Sequence, residues 1–143
     1  MGRNSLAHTR DIKYEWCESY SVGNPIIDRQ HAKLLTLCAE AVQCEDASSS
    51  DGREKFHTIL HEMAVYAKEH FAAEEALLRT RNCPMLSGHL DEHTHFQIAL
   101  SDLLFSAMQG NLDRVRLSQH LSEWWVGHIL GSDMACKLYL ADM

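Results

Sequence analysis

The sequence lacks most of the residues that would point away from a helical fold. Proline occurs only twice in 143 residues, at Pro25 and Pro84. Both stand where a helical pattern would begin, a place that tolerates the missing N–H, so the interior of the chain is open to long helices. No run of alternating apolar and polar residues competes with helical spacing, which excludes a sheet-based architecture. No stretch approaches the ~18 apolar residues of a membrane span, and the opening MGRNSLAHTR has no apolar signal core. Membrane insertion is therefore not expected, and the cytoplasm is the expected compartment. Basic clusters are missing from a chain of net charge −7, which argues against a nucleic-acid partner. The five cysteines, Cys17, Cys38, Cys44, Cys83 and Cys136, show no CxxC spacing, so neither a disulfide framework nor a zinc knuckle is expected.

What the chain has in excess is histidine, ten residues of it, on a composition of 45% hydrophobic and 23% charged residues that suits one globular domain over 1–143. An arm over 1–24, with Tyr14, Trp16 and Tyr20, is expected to lie across the fold. Helices are expected at about 26–44, 51–81, 85–109 and 112–141, separated by the turn-like stretches CEDASSSDG, RNCP and QGN. Phe56, Leu60, Met63, Ala67, His70, Glu74 and Leu77 step by four and three residues, as a bundle seam does. The third helix repeats this with Leu86, His89, His93, Phe96, Leu100, Leu103 and Ala107. The first offers His31, Leu34 or Leu35, Cys38 and Val42, and the fourth Leu117, Leu121, Trp124, His128, Ala135 and Leu138. Short connections favour antiparallel neighbours, so the expected fold is all-α: an antiparallel up-down-up-down four-helix bundle with an N-terminal arm.

These seams contain polar residues at core positions. A buried carboxylate without a partner costs several kcal/mol, and unpaired imidazoles also weigh against folding. One HxxxE or HxxxH pair could be satisfied locally. Two such pairs, joined by His31 and His128 on the other seams, are better satisfied together by metal in the bundle core. His31, His70, His89, His93 and His128 supply imidazoles, and Glu74 and Asp133 supply carboxylates. Nitrogen and oxygen donors without thiolate suit iron, and also manganese or zinc; seven side chains exceed one tetrahedral zinc, which implies two metal ions. In HLDEHTHF (89–96), His89 and His93 are one turn apart and share the seam, while His95 is turned away. His57 and His61 fall one residue off their seam and are expected at the surface, as is Glu75, read as a solvated charge. His8 and His120 have no identifiable partner.

The pairing of His128 with Asp133 is awkward, because five steps at ~100° leave the two about 140° apart on a regular helix. Gly127 and Gly131 are expected to permit a local π-type widening that brings Asp133 back to the core.

The order of a lone His in IDRQH (27–31), HxxxE in HFAAEE (70–75), HxxxH in HLDEHTHF and HxxxxD in HILGSD (128–133) resembles the hemerythrins, and more closely their bacterial members, from Trp16 to about Leu140. The resemblance implies a non-haem centre of two iron ions (Fe2+/Fe3+) with an oxo or hydroxo bridge. His89, His93 and His128 would bind one iron, His31 and His70 the other, and Glu74 and Asp133 would bridge both. One coordination position then stays open, on the iron with two histidines. Dioxygen would bind there, taking one electron from each iron and the proton of the bridge to become a hydroperoxide, with no change in the formal charge of the site. The implied role is reversible O2 storage or transport, with no catalytic residues. The alternative is an O2-sensing or redox-sensing input domain, with an output domain as partner if the protein is longer. A di-iron redox enzyme ranks third, because ferritin-like oxidases use more glutamates and Glu-x-x-His pairs. The family usually carries Trp four residues before the last histidine with an aliphatic neighbour lining the oxygen pocket; here the pair is Trp124 and Trp125. Trp124 is expected in the core packing, and Trp125 either crowds the open position or swings out.

Overall fold

The computed structural model describes residues 15–44, 50–110 and 114–142. The first part of the arm with His8 and Tyr14, residues 45–49, residues 111–113 and Met143 lie outside the described residues. A short 3-10 turn, Glu18–Tyr20, precedes α1 (Pro25–Gln43), α2 (Ser50–Thr80), α3 (Leu86–Met108), α4 (Arg114–His128), a π-helical turn (Ile129–Asp133) and α5 (Lys137–Leu140). The four long helices form an antiparallel up-down-up-down bundle. α1 packs against α2 and α4, and α2 against α3. Phe96 of α3 on Trp124 of α4 closes the ring, with centroids 4.3 Å apart. No helix among the described residues is long and apolar enough to cross a membrane.

Capping fixes the start of the bundle. Pro25 occupies the first turn of α1, and Asn24 ahead of it accepts from the N–H groups of Ile26 and Ile27 (3.0 and 3.3 Å). These are donors that a helix start would otherwise leave unpaired. The same Asn24 donates through Nδ2 to the Leu140 carbonyl (3.0 Å), which ties the first helix to the last. Gly23 has φ +80°, and an added Cβ would come within 3.1 Å of Ala141 Cβ, so this crossing of the two chain ends requires glycine. α2 ends in a Schellman motif, with Asn82 left-handed at φ 57° and the Cys83 N–H donating to the Leu78 carbonyl (2.9 Å). The described part of the arm lies on the bundle as expected: Tyr20 is buried in the core, and Trp16 packs against it.

The core is two apolar clusters with a polar layer between them. The larger holds Leu34, Leu60, Met63, Phe71, Phe96, Leu121 and Trp125 among others. The smaller holds Val22, Ile27, Leu78, Cys83, Cys136 and Leu140. Each helix runs from one cluster to the other, and at the crossing it contributes His31, His70 with Glu74, His89 with His93, or His128 with Asp133, all buried.

The fourth seam differs from the one expected. Ala135 is exposed and Leu138 is 81% exposed, while Asp133, Cys136 and Leu140 take the inward positions. The cause is the π-helical turn over Ile129–Asp133, where the Met134 N–H reaches back to the Ile129 carbonyl. The extra residue shifts the phase of everything after it, so a constant period carried through from Leu117 selects the wrong face. The widening itself is the expected one, but a Cβ on Gly127 or Gly131 would meet nothing within 4 Å. Neither glycine is therefore required for steric room. Trp124 packs against the larger cluster as expected, though only partly covered, and of the two alternatives for Trp125 the inward one holds: it is 0% exposed, with its ring centroid 6.0 Å from that of His70. Trp125 and His128, three residues apart within α4, share its inward face.

Candidate metal centre

Each polar side chain of the layer is held by apolar residues one turn away on its own helix. His31 stands between Ile27 and Leu34 on α1, and His70 with Glu74 between Ala67 and Leu78 on α2. His89 and His93 precede Phe96 on α3, and His128 ends α4. Asp133 closes the π turn. Two sets of donor atoms result, each within 4.8 Å: Glu74 with His89, His93 and His128, and His31 with His70, Glu74 and Asp133. The structure thus brings all seven residues named from the sequence into one buried layer.

The two carboxylates span the sets. Asp133 presents Oδ2 to His31 Nε2 at 3.0 Å and Oδ1 to His89 Nε2 at 2.7 Å and His128 Nε2 at 3.3 Å. Glu74 presents Oε2 to His31 Nε2 at 3.4 Å, and Oε1 to His93 at 3.3 Å and His70 at 3.5 Å.

Three residues behind the histidines fix which nitrogen carries the proton. His93 Nδ1–H donates to Glu75 Oε2 (2.8 Å), His128 Nδ1–H to Glu92 Oε1 (3.0 Å) and His70 Nδ1–H to Gln30 Oε1 (2.8 Å). A neutral imidazole has one N–H, so the Nε2 atoms of these rings present bare lone pairs to the centre. His93 Nε2 and His128 Nε2 face each other at 3.2 Å, a repulsive contact unless a cation lies between them. Buried donor and acceptor atoms normally find partners. Among the described residues, His31 Nε2, His70 Nε2, both Glu74 oxygens and Asp133 Oδ2 have no hydrogen-bond partner, and all belong to this layer. Orphaned nitrogen and oxygen donors facing inward fit metal ions of the iron, manganese or zinc type.

Glu75 is therefore not a solvated charge, as expected from its offset, but the anchor of His93. Gln30 and Glu92 were missed by the sequence reading. The available signal was adjacency: Gln30 neighbours His31, Glu75 neighbours Glu74 and Glu92 neighbours His93, and each serves a histidine on another helix. His61 is exposed and His57 partly so, both outside the layer. His95 and His120 line a groove between α3 and α4 floored by Trp124.

The electrostatics of the metal-free layer follow from burial and the two carboxylates. Burial disfavours a protonated His31, but the carboxylates of Asp133 and Glu74, 3.0 and 3.4 Å from its Nε2, prevail and lift it to about 9. For His70 burial wins, and it falls to about 4. Burial opposes ionisation of Glu74 too, yet His70, His31 and His93 hold it well below the usual carboxylate range. Protonated His31 is the internal cation of the metal-free layer, standing where metal charge would otherwise be.

A pH profile follows. The His31 contribution is complete below its unfolded value of 6.5 and is lost as pH rises to about 9. His70 stays neutral in the fold, so the unfolded chain binds more protons below 6.5, and stability falls as pH drops toward about 4. Chelator-treated protein is expected to show a denaturation midpoint that peaks near pH 6.5 and declines on both sides; a midpoint rising steadily from pH 5 to 9 would contradict this.

Comparison with known proteins agrees with this geometry. Residues 22–135 match the hemerythrin family, described as the Hemerythrin HHE cation binding domain. A hemerythrin-like protein of Naegleria gruberi is 30% identical over 132 residues, covering 92% of this chain and 98% of that one. A bacteriohemerythrin of Stenotrophomonas maltophilia is 29% identical over 122 residues, covering 84% and 76%. The solved structure of a wild-type hemerythrin superposes with a TM-score of 0.75 at 19% identity, covering 85% of this chain and 92% of that one, which is a likeness of fold. The chain belongs to the hemerythrin family. A domain of this family implies iron binding, and the buried histidine and carboxylate clusters suit it.

Proposed function

We propose that this protein binds dioxygen reversibly at a centre of two iron ions, as a store or carrier in the cytoplasm. The observation that carries the reading is the convergence of five imidazoles and two carboxylates into two donor sets that share Glu74, with His31 Nε2, His70 Nε2, both Glu74 oxygens and Asp133 Oδ2 left without a hydrogen-bond partner among the described residues. His89, His93 and His128 would hold one iron and His31 with His70 the other, bridged by Glu74 and Asp133. When bound, such a pair would supply two electrons together for the reversible binding of dioxygen.

The chain's own residues provide the rest. Asp133 and Glu74 hold the two halves together and neutralise positive charge that would otherwise be buried. Gln30, Glu75 and Glu92 keep the Nε2 lone pairs of His70, His93 and His128 aimed inward. Phe71 stacks on His93 with centroids 3.9 Å apart, Trp125 on Phe71 at 5.5 Å, and Trp124 on His128 at 4.6 Å. This aromatic wall separates the layer from water on the side of the larger cluster, which favours keeping a bound oxygen species from solvent protons. The free cysteines suit a reducing compartment.

The test is to reduce the iron-loaded protein without oxygen, admit O2, and then remove it again. Visible charge-transfer bands are expected to appear and vanish over repeated cycles. Bleaching to a fixed oxidised form in the first cycle would overturn a carrier role in favour of sensing or turnover. As a control on the ligand set, His70→Ala is expected to lower iron content and His57→Ala to leave it unchanged; equal losses would contradict the assignment of α2.

A further inference from the structure

The two donor sets differ in what stands behind their imidazoles. In the three-histidine set, His93 Nδ1 meets the carboxylate of Glu75 and His128 Nδ1 that of Glu92. Glu92 is itself steadied by Ser132 of the π turn, whose Oγ lies 2.7 and 2.8 Å from its two oxygens. His89 Nδ1 faces the Cys136 thiol at 3.5 Å. In the two-histidine set, His70 Nδ1 meets only the neutral amide oxygen of Gln30, and His31 Nδ1 has no partner among the described residues. Two negative charges therefore back one position and none backs the other.

We propose that Glu75 and Glu92 are positioning residues that make the His89, His93 and His128 position the tighter and first filled of the two, while the neutral Gln30 leaves the His31 and His70 position the weaker. This rests on the two-metal reading above. An imidazole whose N–H donates to a carboxylate is fixed in tautomer and is a more basic ligand, and losing such a partner commonly costs about 10–100-fold in metal affinity. The added negative charge also offsets the charge of the cation across the ring. The asymmetry has a functional sense: the fully ligated metal is held as an anchor, and the metal carrying the open position stays more labile in its coordination.

The side chains of Glu75 and Glu92 are 25% and 46% exposed, so exchange to glutamine does not bury an unpaired group. The experiment is an anaerobic titration of the metal-free full chain with Co(II), following its visible bands. The unaltered protein is expected to fill in two resolved steps. Glu75→Gln and Glu92→Gln should each weaken the first step by about 10–100-fold and leave the second in place. Gln30→Glu should tighten the second step instead, a gain that a purely structural role would not produce. Equal weakening of both steps, or no change in the first, would overturn the inference while leaving the two-metal centre standing. Fewer than two cobalt ions per unaltered chain would overturn the two-metal reading and the inference with it.

Discussion

Glu74→Gln is expected to abolish binding of a metal pair and also to weaken the metal-free fold. Glu74 is the one residue common to both donor sets, and its oxygens lie 3.3–3.5 Å from nitrogens of His93, His31 and His70. An amide of the same shape retains one acceptor oxygen but cannot bridge two cations or offset their charge. The metal-free fold loses an ion pair as well. Glu74 is held ionised by the buried histidines around it and faces protonated His31 at 3.4 Å, and removing one partner of a buried ion pair is destabilising, here softened because Asp133 still faces His31 at 3.0 Å. His31 would lose one of the two carboxylates that raise it, so its value should fall from about 9. Iron per chain and the denaturation midpoint of chelator-treated protein check both; a variant that keeps its full iron content would contradict the role given to Glu74.

Trp125→Ala is expected to be the most damaging change to the fold. The side chain is 0% exposed and touches Phe71, Phe96, Trp124 and His70, with ring centroids 5.0–6.0 Å apart. Truncating a buried tryptophan costs about 3–5 kcal/mol. At roughly 2–4 °C per kcal/mol for a chain of this size, a fall in Tm on the order of 10 °C is expected. Trp125→Phe should cost far less. It keeps a ring in the wall, and it removes an indole N–H that is buried without a hydrogen-bond partner among the described residues, a group whose burial itself costs about 1–3 kcal/mol. Thermal unfolding of the two variants separates these effects, and equal losses would mean that ring volume is not what Trp125 contributes.

The bundle was legible because four seams repeat at helical spacing, and His31, His70, Glu74, His89 and His93 stood out as polar residues on those seams. Their burial in one layer follows from that pattern alone. The fourth helix was harder, since a single π turn changes the period at the point where Asp133 must return to the core, and residues after it, Ala135 and Leu138, were assigned to the wrong face. The choice between the two positions of Trp125 stayed open because adjacent residues differ by ~100° in direction, and the phase of a helix carrying Ser118 and Ser122 in its core is poorly marked by hydropathy. Gln30, Glu75 and Glu92 lie one step off their seams, where they look like surface residues. Their role depends on a histidine of a neighbouring helix, a relation that exists only once the helices are packed.

The most direct measurement is the anomalous scattering of iron in crystals of the loaded protein, with iron per chain determined on the same sample. Two iron peaks are expected, one within bonding reach of His89, His93 and His128 and the other of His31 and His70, with Glu74 and Asp133 between them. A single peak, or iron held by His57 and His61 at the surface, would contradict the account.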